Sequence, residues 1–371
     1  MDFRLRRARF ADLPGWADDD PSPLFAAMSR CRDHILGVKP YRTGALGLTS
    51  EDLLPALTAA EEMSGSDAAA ARSFFEQHFV PFHILPSSGA GLVTAYYEPE
   101  VAVQAVPDAD YRHPFYRRPA DLVDVDETNR PDGMDPYFAF GRRGPEGRIA
   151  EYPDRNAIEA GLLTGKGLEI AYARSKVDVF FAHIQGAARL VYPDGQQRRI
   201  TYAAKTGHRF SAIGKLLIER GEIAPADISM ASIRAWLAAH PDEADAVMGH
   251  NRSFIFFREA EVDDLELGPI AAAKIPLVAG RSLAVDRLIH TFGTPFFIDS
   301  PSLTHLDGGR PFRRLMLALD TGSAITGPAR GDLFTGSGDA AGVLAGNVRN
   351  EADFYILLPK QAARRYGHGE G

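Results

Sequence analysis

The sequence predicts a mainly β protein of the α+β class, built as two domains, on three observations. From Asn251 onward, short apolar runs alternate with turn residues, the rhythm of a barrel or sandwich. Over the first ninety residues the apolar positions instead recur at helical spacing. At 371 residues the chain is also longer than one ordinary hydrophobic core supports.

Taken in order, Pro23 opens an amphipathic helix with apolar residues at 24, 25, 28, 31, 35 and 36, closed by Gly37. Thr49 or Ser50 caps a second helix carrying Leu53, Leu54 and Leu57, and Asp67 caps a third through Ala71, Phe74, Phe75 and Phe79. Residues 91–97 are β-branched and aromatic and predict a strand ended by Pro99. From about 100 to 150, Pro, Asp, Arg and Tyr with weak periodicity predict surface loops and short strands. Residues 176–182, with Val177, Val179, Phe180 and Phe181, predict a buried strand. Residues 190–192 and 199–202 flank Pro193-Asp194-Gly195 and predict a hairpin. Ser211 is expected to cap a helix with Ile213, Leu216 and Leu217 on one face and Gly221 at its end. Ser229 caps the next, through Ile233, Trp236 and Leu237, stopped by Pro241, and 242–248 form a short third. Strands are then expected at 253–257, 275–278, 283–285, 295–298, 314–319 and 354–358.

Composition narrows the function. Hydrophobic residues make up 45%, enough for full cores. A formal net charge of -8 argues against a nucleic-acid binder. The single cysteine, Cys31, sits at helical spacing among Leu24, Phe25, Met28 and Ile35 and reads as a core thiol. No stretch reaches the length of a membrane span. Residues 1–10 are basic but no apolar segment follows, so no secretory signal is read. There is no His-Glu-x-x-His, and the histidines lack metal-ligand spacing, so neither metal nor cofactor is expected.

The chemistry concentrates near the C-terminus. The apolar run 315–319 ends at Asp320, and Asp332 follows inside a Gly-rich segment. Asp286 is a third acid at a strand end. Asp favours turns for its own reasons, but three acids in one strand-rich region point to a site. Asp320-Thr-Gly resembles an aspartic-protease loop, yet that chemistry needs a second copy, and Asp299-Ser300-Pro301 fails at the glycine. The run 336–342 could be read as a phosphate loop, but it lacks the following Lys-Ser/Thr and any βαβ setting. Gln185-Gly186 and Lys205-Thr206-Gly207-His208 place polar groups beside glycines, which suits either turns or hydrogen bonds to a sugar.

Several segments in order then resemble one family: Thr94-Ala-Tyr-Tyr-Glu-Pro99, Phe181-Ala-His-Ile-Gln-Gly186, Tyr202-Ala-Ala-Lys-Thr-Gly-His208, Asn251-Arg-Ser-Phe-Ile-Phe-Phe257, Ala284-Val-Asp-Arg287 and the block from Asp320 to Gly346. Together they resemble the membrane-bound lytic murein transglycosylase A family, with a C-terminal 3D domain named for three aspartates that match Asp286, Asp320 and Asp332. The resemblance implies a double-psi β-barrel, residues 1–98 plus 262–371 with N-terminal helices, and an inserted β-rich substrate-binding domain, residues 99–261. Peripheral helices and a substrate groove between the domains belong to the same expectation. It implies a peptidoglycan lyase that cleaves the β-1,4 bond between N-acetylmuramic acid and N-acetylglucosamine and leaves 1,6-anhydromuramic ends. Asp332 is then the single general acid/base, Asp320 and Asp286 its supporting acids, and Thr94, Tyr96, Gln185 and Lys205 substrate-binding residues. The implied partners are peptidoglycan glycan strands and cell-wall synthesis or division proteins, around a monomer in the periplasm or cell envelope. Cys31 lacks the apolar run and small residues of a lipobox, so no lipid anchor is expected there. A non-catalytic peptidoglycan-binding barrel is the alternative.

Overall fold

The computed structural model describes residues 3–260 and 264–366. Two compact units emerge: unit 1 holds residues up to Tyr97, Asp264–Gly336 and the segment from Ala340 onward, and unit 2 holds residues from Glu98 and Ser337–Asp339. The boundary expected at 261/262 lies outside the described residues.

In unit 1 the three N-terminal helices form where capping and periodicity place them: Leu24–Gly37, Ser50–Ala59 and Ala68–His78. Thr49 accepts a hydrogen bond from the Asp52 N–H and Asp52 reciprocates, a capping box, and Asp67 accepts from Ala70 N–H. The third helix stops one residue earlier than expected, because Phe79 already opens a strand, Phe79–Pro86. Nine strands form one sheet in the order Phe3–Arg7, Phe79–Pro86, Asp353–Pro359, Pro295–Ser300, Phe312–Asp320, Ser282–Val285, Arg330–Ser337, Leu92–Glu98, Arg349–Glu351. Most pairs are antiparallel, but Ser282–Val285 runs parallel to Phe312–Asp320 and antiparallel to Arg330–Ser337. Phe296, Phe297, Leu315, Leu317 and Ile356 fill the core together with Cys31, Leu53 and Phe75 from the helices. Cys31 is buried there, and burial pushes its thiol up to about 12, as a core thiol requires.

Three expectations fail in the C-terminal part. Residues 275–278 are no strand: Pro276 has no N–H to give, Lys274 takes a left-handed φ of 65°, and a tight reversal results in which Ala271 N–H bonds Ile275 O. Conversely, Arg330–Ser337 is a full strand inside the segment that reads as a Gly-rich loop. A helix, Gly338–Gly346, follows it where only strands were expected.

Unit 2 carries a six-stranded sheet, in the order Ile255–Ala260, Gln197–Lys205, Ala187–Val191, Glu100–Gln104, Glu169–Ala173, His113–Tyr116, and a small three-stranded one between Leu122 and Ala150. The expected hairpin forms, with Leu190 opposite Arg198. The buried strand expected at 176–182 is instead the helix Lys176–Gln185. Ser175 accepts a hydrogen bond from Asp178 N–H at its start, and Gly186 closes it at φ 77°. The mistake has a packing cause: Val179 and Ala182 enter one core cluster while Phe180 and Phe181 enter another. A helix buried on two sides loses the polar stripe that identifies it. Ser211 also does not cap the next helix, Ile213–Glu219, whose N-cap is Ala212; the Ser211 N–H bonds the Asn251 side chain instead. Ser229 does cap Met230–Ala239, by a capping box with Ser232.

Candidate active site

The carboxylates meet through register in unit 1. Ala284, on the short strand Ser282–Val285, is the partner of Asp320 on one neighbour and of Asp332 on the other. Two strand spacings therefore separate the backbones of the two acids, roughly 9–10 Å. Gly331, beside Asp332, is required by packing: a Cβ there would lie 2.8 Å from Leu283 Cδ1 and 2.9 Å from Phe354 Cε1.

Asp332 retains some exposed surface while its carboxyl is set among protein groups. Thr94 Oγ1, from the strand Leu92–Glu98, donates a hydrogen bond to Asp332 Oδ1. Arg330 Nη2 donates to the same Thr94 Oγ1 at 2.7 Å. Burial raises the Asp332 carboxyl above its ordinary value; the Thr94 bond and the Arg330 charge oppose that, and Asp320 adds to it.

Asp320 is held differently. Its Oδ2 accepts from Tyr96 OH at 3.0 Å and its Oδ1 from Ala272 N–H at 3.1 Å. Burial raises this carboxyl too, against the bonds from Ala272, Thr321 and Tyr96. Tyr96 is buried against Phe334, and burial together with Asp320 lifts its hydroxyl well above the usual value. The two acids therefore do not form a proton-sharing pair. Such a pair brings carboxyls to about 3 Å, whereas here a strand lies between them and both Asp320 oxygens are already engaged. That removes the aspartic-protease reading of Asp320-Thr-Gly.

Asp286 lies just past the end of the central strand and is buried. Its Oδ1 accepts from Leu288 N–H at 2.9 Å and its Oδ2 from Gly327 N–H at 2.8 Å. Those bonds pin the loop that leads into the Asp332 strand, with His290 Nε2 against Pro328 O at 2.8 Å beside it. The 336–342 run does not form a phosphate cradle. Ser337 Oγ donates to the fully buried Glu98 at 2.6 Å, and a Cβ on Gly338 would lie 3.5 Å from the Glu100 carboxyl, so acids occupy the ground an anion would need.

Thr94, Tyr96, Asp286, Asp320 and Asp332 are thus gathered in unit 1, whereas Gln185 and Lys205 lie in unit 2. Gln185 is the last residue of the helix Lys176–Gln185. Lys205 Nζ donates to Tyr137 OH at 3.3 Å and lies 5.0 Å from its ring centroid. The rest of that motif is structural: Thr206 Oγ1 accepts from Phe254 N–H at 3.2 Å, and His208 Nε2 meets Tyr152 O at 2.7 Å. Arg330 is the residue that sequence reasoning missed. Its signal was available, since residues two apart on a strand share a face, but the strand itself was hidden by Gly331, Asp332 and Gly336, which are poor strand formers.

Residues 92–258 match the MltA specific insert domain and residues 281–358 the 3D domain. The crystal structure of a membrane-bound lytic murein transglycosylase from Agrobacterium tumefaciens is 63% identical and superposes with a TM-score of 0.93, covering 98% of this chain and 99% of that one. Escherichia coli MltA, solved with bound chitohexaose, is 25% identical with a TM-score of 0.68, covering 97% and 95%. By sequence, the membrane-bound lytic murein transglycosylase A of Escherichia coli K12 is 32% identical over 268 residues, 71% of this chain and 64% of that protein. The match thus spans just under two thirds of that curated relative.

Proposed function

The chain belongs to the MltA family of lytic murein transglycosylases, and from that premise we propose that it cleaves the β-1,4 bond between N-acetylmuramic acid and N-acetylglucosamine in peptidoglycan, with Asp332 as the single general acid/base. The observation that carries this reading is one carboxyl raised by burial and held by Thr94, with the nearest acid of its strand neighbours a strand away and already hydrogen-bonded. A hydrolase of this bond uses two carboxyl groups, one to protonate the leaving oxygen and one to activate water or attack. A lyase needs only one, because the nucleophile is carried by the substrate.

The proton ledger closes on Asp332. Its carboxyl proton passes to the glycosidic oxygen, which leaves with the electron pair of the C1–O bond. The muramic C6 oxygen then bonds C1, and its hydroxyl proton returns to the Asp332 carboxylate, which restores the acid. Burial favours the neutral form in which the cycle starts. Asp320 adds negative charge nearby, and Asp286 holds the loop. Gln185 and Lys205 are proposed to bind the glycan, a role for which amide and ammonium groups are suited, whereas Thr94 and Tyr96, expected beside them, donate their hydroxyls to Asp332 and Asp320 and are proposed to support those acids instead. The binding of chitohexaose by the Escherichia coli relative supports a sugar chain as ligand. The periplasm or cell envelope, where peptidoglycan lies, is the proposed place of action.

Mass spectrometry of purified sacculi digested with the protein tests the reading. Anhydro-muropeptides are expected. Products with reducing ends alone would make the protein a hydrolase, and binding without products would make it a passive peptidoglycan-binding barrel.

A further inference from the structure

Thr94 is pressed between a cation and an acid, and this has a definite chemical result. A threonine hydroxyl has one proton and two lone pairs, while an arginine guanidinium only donates. Arg330 Nη2 lies 2.7 Å from Thr94 Oγ1, so one lone pair is filled by an Arg330 N–H. The single Thr94 proton is then free to go to Asp332 Oδ1. Arg330 is fixed in turn, since its Nη1 donates to Gly331 O on its own strand. We propose that Arg330 is a positioning residue that orients the Thr94 hydroxyl, so that Thr94 occupies Oδ1 of Asp332 and leaves Oδ2 as the oxygen that carries the catalytic proton.

The proposal rests on Asp332 being the general acid/base. It adds an orientation to that role: the leaving oxygen meets Oδ2, and the C6 hydroxyl returns its proton there. The relay also serves the half of the cycle in which Asp332 is charged, because a hydrogen bond to a carboxylate is stronger than one to a neutral acid. The other ionisable groups around the relay are Asp320 on the Phe312–Asp320 strand, Tyr96 on the Thr94 strand, and Arg349 on Arg349–Glu351, which repels Arg330.

Thr94 and Arg330 both favour the charged form of Asp332. Removing either favours the proton, so the acid survives to higher pH and the alkaline limb of kcat/KM moves upward. Arg330→Met and Thr94→Val are each expected to move that limb to higher pH and to lower kcat by about tenfold to a hundredfold through misplacement of the proton. Thr94→Ser, which keeps the hydroxyl, is expected to restore the wild-type profile. Titration of the Asp332 carboxyl by 13C NMR, assigned by its loss in Asp332→Asn, reads the same upward movement without any turnover. Arg330 acts through Thr94 as well as by its own charge, so the part of its effect that passes through the hydroxyl is already lost in Thr94→Val, and the double variant should move less than the two single shifts added together. Full additivity, or an unmoved Asp332 titration in Arg330→Met, would overturn the relay. Should Arg330→Met fail to fold, Thr94→Val against Thr94→Ser makes the test alone: an unmoved titration in Thr94→Val rejects it. If the protein forms no anhydro products, the reaction reading falls, while the NMR titration still decides the relay.

Discussion

At the scale of the residue, three acids that look alike in the sequence hold three different positions. Asp332 accepts from one hydroxyl at Oδ1, Asp320 engages both oxygens with Tyr96 and Ala272, and Asp286 engages both with backbone N–H groups. The variants should separate accordingly. Asp332→Asn keeps an acceptor for Thr94 and should fold normally, yet lose about 10²–10⁴-fold in anhydro-muropeptide release, the range of a lost general acid. Sacculus digestion beside a thermal melt checks both halves; an active variant would remove Asp332 from the chemistry. Asp286→Ala leaves two N–H donors without their acceptor and should lower the unfolding free energy by about 1–3 kcal/mol. Its kcat should stay well above that of Asp332→Asn. Urea titration with parallel kinetics tells the two apart, and an Asp286→Ala protein as stable as wild type but inactive would make Asp286 a chemical group rather than a loop anchor.

At the scale of the element, local signals were legible wherever one face was polar. Thr49, Asp67 and Ser229 cap the helices they announce. The helix Lys176–Gln185 was illegible for the opposite reason, since residues 179–183 are all buried and its periodicity is drowned. Its true nature was still marked by Ser175 and Gly186 at its ends. Ser175→Ala should therefore destabilise it by about 1 kcal/mol, which corresponds to amide exchange about fivefold faster over 176–185. Peptide-level hydrogen exchange measures this directly, and unchanged protection would mean that Ser175 is no cap. The Asp332 strand was hidden by its glycines, although Gly331 is there to let Leu283 and Phe354 close over the position.

At the scale of the whole molecule, pH couples to stability through groups that folding removes from water. His290 is fully enclosed and burial lowers it from 6.5 to about 4. The unfolded chain therefore takes up this proton first as pH falls, so stability is complete above about pH 6.5 and declines toward pH 4. The corresponding loss is about 3 kcal/mol. Asp320 and Asp332 act in the other direction, since their raised carboxyls hold protons in the folded state that the unfolded state gives up. His290→Gln keeps a donor for Pro328 O and removes the titration, so its stability should fall less than that of wild type between pH 6.5 and 4. Chemical denaturation at a series of pH values compares the two, and parallel curves would exclude His290 as the source. The helical N-terminus, the strand-rich remainder and the set of acids could be read from the chain alone, because caps, turns and periodicity are local, and the ordered motifs carried the family resemblance. That Ala284 sets Asp320 and Asp332 on opposite sides of one strand, and that Arg330 reaches Asp332 through Thr94, came from the folded molecule. Strand register joins residues far apart in the chain, and it is set by which faces the strands bury together across the sheet.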